Sequence, residues 1–145
     1  MENCIFCDLV RTEKQGLLYE DSRCIAVLDR FPVSRGHALV ISKEHAQDLT
    51  FVTDETLAQM ALVVKKIAKR IDEKLKPDGI KIVSNIREPA GQGIMHLHIH
   101  VIPVYRSNDG KDRLAMEVGA QARMANNPKE LAAKDKKELL AQLKL

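Results

Sequence analysis

Hydrophobic and polar residues alternate most strictly over residues 95–101, where three histidines are interleaved with large apolar side chains. Successive side chains of a β-strand point to opposite faces of the sheet. The pattern therefore predicts a strand that presents His96, His98 and His100 on one face. The other face is predicted to pack into the core, and it carries Met95, Leu97, Ile99 and Val101.

Four further strands and one long helix are predicted before this segment. Alternating or wholly apolar runs predict strands over residues 17–20, 23–29, 37–42 and 80–85. Thr53 can cap a helix whose apolar residues recur at helical spacing as far as Leu75, and residues 77–79 end it. This order predicts an α+β fold with a mainly antiparallel five-stranded sheet and one long helix.

The last part of the chain, residues 106–145, has a different pattern and predicts a helical C-terminal tail. Residues 114–124 are compatible with a short helix. Asn126 or Asn127 can cap a last helix that begins at Pro128. Its apolar stripe would consist of Leu131, Leu139, Leu140 and Leu143. We treat residues 1–105 and 106–145 as parts of one domain, the tail covering the sheet, docking on a partner subunit or fraying.

Composition excludes several classes of protein. The 145 residues suit one domain with one core, and no apolar run approaches the roughly 20 residues of a membrane span. The first residues carry no basic region followed by an apolar stretch, so a cytoplasmic protein is expected. The net charge of +3 and the absence of tryptophan argue against a nucleic-acid partner.

The three cysteines do not indicate a disulfide framework, since their number is odd and the chain shows no export signal. Cys24 lies in an apolar run and is interpreted as a small buried residue. Cys4 and Cys7 have the spacing of structural zinc ligands, but one pair supplies only half of a tetrahedral site. A redox pair is less favoured, because no βαβ unit surrounds it.

The histidine strand is the candidate centre of chemistry. Imidazole, with an ordinary pKa of about 6.5, can act near neutral pH as a nucleophile, base, acid or metal ligand. A single strand histidine is ordinarily a solvated or core residue, whereas three in alternation after a glycine loop indicate function. The residues alone leave open a hydrolase in which two or three of these histidines bind catalytic zinc, and a non-catalytic binding or interaction protein.

The sequence from Gly91 to Ile102, GQGIMHLHIHVI, resembles the signature of the histidine triad (HIT) family. Asp29, His37, residues 42–45 and Asn85 stand where that family places functional residues. The start Cys4-Ile5-Phe6-Cys7 is similar to that of zinc-carrying prokaryotic members. The resemblance runs from Cys4 to about Pro103 and implies a HIT-like catalytic domain over residues 1–105, with the tail as its helical extension.

The resemblance implies a nucleotide hydrolase or transferase that acts at the α-phosphate of adenosine or other purine nucleotides. Dinucleoside polyphosphates and nucleoside phosphoramidates are the expected substrates. His98 would attack phosphorus and form a nucleotidyl-histidine intermediate. A backbone carbonyl of the same strand would fix the tautomer of His98. His37 and His100 would lie around the phosphate, and one or both would donate hydrogen bonds to its non-bridging oxygens.

The same resemblance implies binding residues for each part of the nucleotide. Asp29 would accept hydrogen bonds from the ribose hydroxyls, since a carboxylate only accepts. Asn85 and Gln92 would contact the phosphate or the leaving group. Gly93, in the glycine loop, is a further candidate binding residue. Independently of the resemblance, we place Phe6 and Leu28 in an apolar slot for the base. Ile25 is expected in the core instead.

Gly93 departs from the pattern of several family members, which carry serine or threonine at that position. Their hydroxyl can assist the leaving group. Without it, leaving groups that need little protonation are favoured, and dinucleoside polyphosphates become more attractive substrates.

The resemblance further implies that His45 and His96 complete the zinc site of Cys4 and Cys7. Two thiolates and two imidazoles form a closed Cys2His2 site without a coordinated water, and such sites are structural. Because family members are commonly homodimers, we also expect a homodimer, which would cover the exposed edges of the sheet.

Overall fold

The structure is a computed structural model that describes residues 3–12, 14–106 and 129–145. Its sheet has the strand order β1-β2-β3-β5-β4, and every neighbouring pair is antiparallel. The strands are β1 (Leu17–Glu20), β2 (Cys24–Leu28), β3 (Ala38–Ser42), β4 (Gly79–Val83) and β5 (His98–Val104). The helices are α1 (Ile5–Arg11), α2 (Asp54–Leu75) and α3 (Ala133–Leu143), with a short 3-10 turn at Glu88–Ala90. The predicted α+β class and five-stranded sheet are confirmed.

Helices α2 and α3 cover one face of the sheet. Thr53 caps α2, its side-chain oxygen accepting a hydrogen bond from the backbone N–H of Thr56 as predicted. The buried stripe of α2 packs with Leu139 and Leu143 of α3 over Val40 and Val101. The described part of the tail therefore covers the sheet. No described helix is long and apolar enough to cross a membrane.

The opposite face of the sheet is apolar under α1 and carries histidines beside it. Phe6 packs on Ile25, Leu39 and Ile41 there. In the ladder between β3 and β5, His98 pairs with Ile41, and His100 pairs with Leu39. Both histidines thus lie on the α1 face, and Val101 lies on the α2 face, as the alternation predicts.

The histidine strand begins later than the alternation predicts. Its pairing with β3 ends at His98, and the chain before it turns toward the segment after β3, where the Leu97 amide donates to the Ala46 carbonyl at 2.7 Å. Leu97 is buried as expected, but Met95 is 38% exposed. The predicted core position of Met95 is therefore wrong, because the period of two holds only within the paired strand.

Two terminal elements also differ from the prediction. Helix α1 has only seven residues, too few for a helical repeat to be recognised, and it was missed. The last helix begins at Ala133 rather than Pro128, after Ala132, whose side chain makes no capping hydrogen bond. Leu131 therefore precedes the helix, yet it still packs partly against the core. The predicted short helix and its neighbours Asn126 and Asn127 lie outside the described residues.

Candidate functional site

His98 and His100 project side by side from β5, their ring centroids 5.0 Å apart. His100 is buried and His98 is partly exposed. The ring of Phe6, from α1, meets the His98 ring edge-on with centroids 5.1 Å apart. Helix α1, which sequence reasoning missed, therefore forms one wall beside the histidines.

A backbone carbonyl contacts His98. The carbonyl oxygen of His96 lies 2.6 Å from His98 Nδ1. Because a carbonyl oxygen can only accept, the ring proton of neutral His98 resides on Nδ1. The lone pair is consequently on Nε2, the nitrogen that can act as a nucleophile.

Ser84 supports the same strand, and sequence reasoning gave it no role. Its hydroxyl donates to the carbonyl oxygen of His98 at 3.0 Å. Ser84 directly follows β4, whose last residue, Val83, pairs with His100. The signal available in the sequence was a small polar residue just before Asn85, but only the strand register shows what it contacts.

A hydrogen-bonded chain of fixed direction leads to His100. The backbone N–H of Val33 donates to His37 Nδ1 at 3.1 Å, and His37 Nε2 lies 2.9 Å from His100 Nδ1. Because the Val33 amide can only donate, a neutral His37 carries its proton on Nε2 and donates to His100. Neutral His100 then carries its own proton on Nε2, where it can donate to a substrate. His37 is thus behind His100, and 2% exposed.

Asp29 connects these histidines with a cavity. Its Oδ1 accepts a hydrogen bond from the Phe31 amide at 2.8 Å, and its Oδ2 lies 3.5 Å from His37 Nε2. The cavity has a volume of about 500 Å³, and Phe6, Leu28 and Asp29 all line it. Pockets of this size accommodate small organic ligands. The three residues assigned to ribose and base thus share one cavity, whereas Ile25 is fully buried in the core, as expected.

The remaining predicted binding residues lie on the loop between β4 and β5. Asn85 is half-buried, Gly93 is exposed and Gln92 is 2% exposed. The Gln92 side chain binds backbone: its oxygen accepts from the Arg87 amide at 2.7 Å, and its nitrogen donates to the Gln47 carbonyl at 2.6 Å. In this conformation Gln92 shapes the loop, and its predicted contact with the leaving group stays a prediction.

Four potential metal ligands from three segments converge at the far end of the histidine face. Cys4 Sγ and Cys7 Sγ lie 3.4 and 3.5 Å from His96 Nδ1, and Cys7 Sγ lies 3.2 Å from His45 Nδ1. All four ligand atoms lie within 4.8 Å of one another. Zinc–sulfur and zinc–nitrogen bonds at a tetrahedral angle place the ligand atoms roughly 3.5 Å apart. The donor set and its spacing therefore fit a structural zinc ion.

The surroundings of His96 suit a neutral ligand. Burial, the largest influence, lowers the pKa of His96, although a bond to the Ser42 carbonyl opposes it. His96 Nε2 lies 2.8 Å from that oxygen, so the proton resides on Nε2 and Nδ1 is directed at the thiols. Burial and the neighbouring Cys4 thiol raise the pKa of Cys7, and a metal ion would compensate by binding the thiolate.

A second group of potential ligands, Asp29, His37 and His100, occurs among the described residues. The 2.9 Å separation of its two imidazole nitrogens is that of a hydrogen bond. His98 belongs to neither group. In the described part of the chain, His96, His98 and His100 therefore do not form a cluster of potential ligand atoms, as a catalytic zinc site built from all three would require.

Comparison with known proteins finds relatives that align with most of this chain. A family model described as HIT domain matches residues 11–107. The chain is 38% identical over 102 residues, 70% of its length and 52% of the relative, to an adenylylsulfatase of Arabidopsis thaliana.

Solved structures show the same fold over nearly the whole chain. One is a hypothetical histidine triad nucleotide-binding protein from Sulfolobus tokodaii, with a TM-score of 0.78 and 33% identity, covering 97% of this chain and 89% of that one. Another is a zinc-bound histidine triad family protein from Mycobacterium smegmatis, with a TM-score of 0.73 and 33% identity, covering 97% and 92%.

Proposed function

This chain belongs to the histidine triad (HIT) family, and we propose that it is a nucleotide hydrolase or transferase acting at the α-phosphate of purine nucleotides. The observation that carries the proposal is the 2.6 Å contact between His98 Nδ1 and the His96 carbonyl, which leaves the lone pair of a neutral imidazole on Nε2. The nearby cavity of about 500 Å³, with Asp29 in its wall, supports the proposal because its size suits a nucleoside.

In the proposed first step, His98 Nε2 attacks the α-phosphorus, and the bond from phosphorus to the leaving group breaks. The leaving group departs with the bonding electron pair, and a nucleotidyl-histidine remains. The imidazole gains positive charge as the bond forms. The His96 carbonyl, which accepts from Nδ1, stabilises that charge because it already points at the ring.

His100 has a different role in the same step. The hydrogen bonds from the Val33 amide to His37 and from His37 to His100 place the proton of neutral His100 on Nε2. This N–H can then donate to a non-bridging phosphate oxygen. Water or another acceptor then attacks phosphorus, and the phosphorus–nitrogen bond breaks with its electron pair returning to His98 Nε2. With water, the product is a nucleoside monophosphate, and the proton of the water passes to solvent.

The leaving group is proposed to be one that departs without a hydroxyl donor at position 93, which is glycine in this chain. Dinucleoside polyphosphates meet that condition better than nucleoside phosphoramidates, since a polyphosphate is a better leaving group than an amine. Comparing the hydrolysis of the two substrate classes, with Gly93→Ser as the variant, tests the assignment. We expect the variant to gain more on the phosphoramidate.

We propose that Cys4, Cys7, His45 and His96 hold a structural zinc ion. When bound, such an ion links the N-terminal helix to the loop after β3 and to the residues just before β5. It would thereby fix the position of the His96 carbonyl, which contacts His98. The chemistry is assigned to His98 and His100.

A homodimer and a cytoplasmic location are also part of the proposal. The edge strand β4 is only partly covered, and Ile82 on it is 47% exposed. A second copy of the chain could pair there. Sedimentation of the full chain tests this, and a monomer at micromolar concentration would refute it.

The covalent step is tested with adenosine and guanosine nucleotides labelled at the α-phosphate. The protein is mixed with each nucleotide, quenched rapidly in alkali and digested. We expect acid-labile, alkali-stable label on the peptide containing His98, and none with His98→Ala. Release of nucleoside monophosphate without trapped label would require a quench series for a short-lived intermediate. If no label is trapped and no nucleoside monophosphate is released, the proposal is contradicted, and a non-catalytic binding protein is favoured.

A further inference from the structure

Part of the cavity lining comes from residues that follow the segment matched by the family model. That match ends at residue 107, whereas Glu130, Leu131 and Lys136 line the cavity together with Phe6 and Asp29. We propose that this segment, residues 130–136, selects the base, favouring hypoxanthine or guanine over adenine. The inference rests on the proposed function, because it concerns the base of the same nucleotide.

The segment is attached to the loop that follows Asp29. The Leu131 amide donates to the carbonyl oxygen of Arg30 at 2.8 Å, and Arg30 Nε binds Glu130 Oε1 at 2.7 Å. The Arg30 guanidinium also lies 5.4 Å from the centroid of the Phe31 ring. The wall therefore has a defined position beside the carboxylate assigned to the ribose.

A second attachment holds the helix that carries Lys136. Arg35, on the same loop, contacts Asp135 at 3.4 Å and Glu138 at 3.2 Å. Each exposed ion pair contributes little alone. Leu139, which follows Glu138 on α3, is 1% exposed. Its burial is therefore the main anchor of the helix, and the ion pairs of Arg35 add to it.

Most of the cavity surface is apolar and cannot distinguish one purine from another. Its apolar lining includes Ile5, Phe6, Leu9, Leu28, Ile94 and Leu131. Such side chains cover the faces of any base. Selection comes from polar groups that reach the edge of the base. Among the polar lining residues Asp29 is assigned to the ribose and Arg30 is paired with Glu130, which leaves Gln15 and Lys136.

Gln15 and Lys136 form a pair that presents hydrogen-bond donors. Lys136 Nζ donates to Gln15 Oε1 at 3.4 Å. An ammonium group only donates, and Lys136 occupies one of the two lone pairs of the Gln15 oxygen. The amide N–H groups of Gln15 and the other N–H groups of Lys136 therefore outnumber the acceptor positions that this pair can offer to a ligand. Hypoxanthine and guanine present two acceptors, N7 and O6, whereas adenine presents N7 and a donor amino group.

Lys136 also determines how Gln15 is used. A glutamine whose oxygen and nitrogen are both available pairs well with adenine, because it accepts from the amino group and donates to N7. Lys136 occupies one of the two lone pairs of that oxygen and places a positive charge beside it, which weakens a hydrogen bond from the adenine amino group. Replacing Lys136 with an apolar residue of similar length should therefore shift the preference toward adenine.

The test measures binding of inosine and adenosine monophosphates to the full-length protein by titration calorimetry. These ligands differ chiefly at position 6 of the base. We expect the wild type to bind inosine monophosphate about fivefold more tightly than adenosine monophosphate. This ratio is at the lower end of the range for two hydrogen bonds to a base edge, because Gln15 is exposed to solvent. In Lys136→Met the ratio should fall to about one or reverse. Lys137→Met, an exposed neighbour on α3, should keep the wild-type ratio.

Leu131→Ala provides an independent arm. It should weaken both monophosphates roughly fivefold by removing apolar contact, while ribose 5-phosphate binds as before. Equal binding of the two monophosphates by the wild type, or an unchanged ratio in Lys136→Met, would overturn the inference while leaving the proposed function intact. If no nucleotide binds and the labelling experiment is also negative, the proposed function fails, and the inference fails with it.

Discussion

His37 Nε2 lies 2.9 Å from His100 Nδ1, and a backbone amide outside both imidazole rings sets the direction of this hydrogen bond. The Val33 amide donates to His37 Nδ1 at 3.1 Å, so the proton of neutral His37 is on the side of His100. A backbone amide cannot reverse its role as an imidazole can. His100 is thereby held as a donor through Nε2.

Replacing His37 with leucine should release the tautomer of His100. Without a donor at Nδ1, neutral His100 is expected to populate both tautomers, and kcat for nucleotide hydrolysis should fall roughly 10- to 100-fold with little change in KM. Nitrogen-15 chemical shifts of the His100 ring, recorded above pH 8, report the tautomer without relying on turnover. A His100 that remains protonated on Nε2 in the variant would contradict this reading of the hydrogen-bonded chain.

The Cys2His2 group predicts one zinc ion per chain. Cys7→Ala should abolish the stoichiometric zinc and lower the melting temperature by at least about 5 °C, because α1 would lose its link to His45 and His96. Metal analysis and thermal melting measure the two effects. Cys24→Ala is the matched control, since that thiol lies in the core and contacts Asp21, and it should retain the zinc.

Removal of zinc also separates the proposed mechanism from a metal-dependent hydrolase. A structural ion should be dispensable for the covalent step wherever the protein stays folded. We therefore expect chelated protein, kept well below its melting temperature, to retain label transfer to His98, although at a lower rate because the ion no longer helps to fix the His96 carbonyl. Complete loss of nucleotide cleavage with an unchanged circular dichroism spectrum would favour catalytic zinc.

Asp21 should make stability depend on pH in the acid range. Burial acts to raise its pKa, but hydrogen bonds from the amides of Cys24 and Arg23 and from the side chains of Gln59 and Tyr19 outweigh burial and lower the pKa to about 2. The folded pKa lies below the usual value of 3.8, so the contribution is present above about pH 4 and is lost as the pH falls toward 2.

Asp21→Asn should accordingly cost roughly 1 kcal/mol of unfolding free energy at pH 7, a figure reduced for solvent screening. The difference from the wild type should shrink as the pH approaches 2. Urea unfolding across this range measures it. Asp72→Asn, at an exposed position of α2, serves as the control and should change stability little. A cost for Asp21→Asn that does not vary with pH would refute the assignment.

Gly36 occupies a position that a side chain fits poorly. Its φ is +90°, and an added Cβ would collide with Leu75 Cδ1 and come within 3.3 Å of Pro103 Cγ. We expect Gly36→Ala to cost about 1–2 kcal/mol of unfolding free energy, from backbone strain and crowding together. Chemical denaturation measures the cost.

The two contributions at Gly36 can be separated with Leu75→Ala. In that background the collision is relieved but the positive φ remains, so Gly36→Ala should cost less than in the wild type without becoming neutral. Strict additivity of the two substitutions would show that the collision with Leu75 contributes nothing.

The alternation of residues was sufficient to place His98 and His100 together on one face. Strand geometry has a period of two, and both residues lie within the paired part of β5. The same period could not determine the surroundings of His96, which precedes the strand. Its contacts with Cys4 and Cys7 join residues 92 and 89 positions away along the chain.

Short-range patterns also left α1 and the cavity undetermined. The cavity takes walls from α1, from the end of β2 and from residues 130–136, which are distant in sequence. The resemblance to the HIT family indicated Asp29, and apolar character suggested Phe6 and Leu28, but neither indicated that Leu131 or Lys136 lines the cavity. Those residues lie beyond the matched segment, and only the packing of α3 brings them to the cavity.

The sequence by itself determined the strands, the long helix with its Thr53 cap, and the types of side chain available for chemistry. These depend on neighbours within about four residues, where backbone geometry sets a fixed period. Only the tertiary structure decided that His37 donates to His100 and that Leu131 and Lys136 line the cavity beside Asp29. Such contacts depend on strand register and on how helices cross the sheet, and both are set by the packing of the whole core.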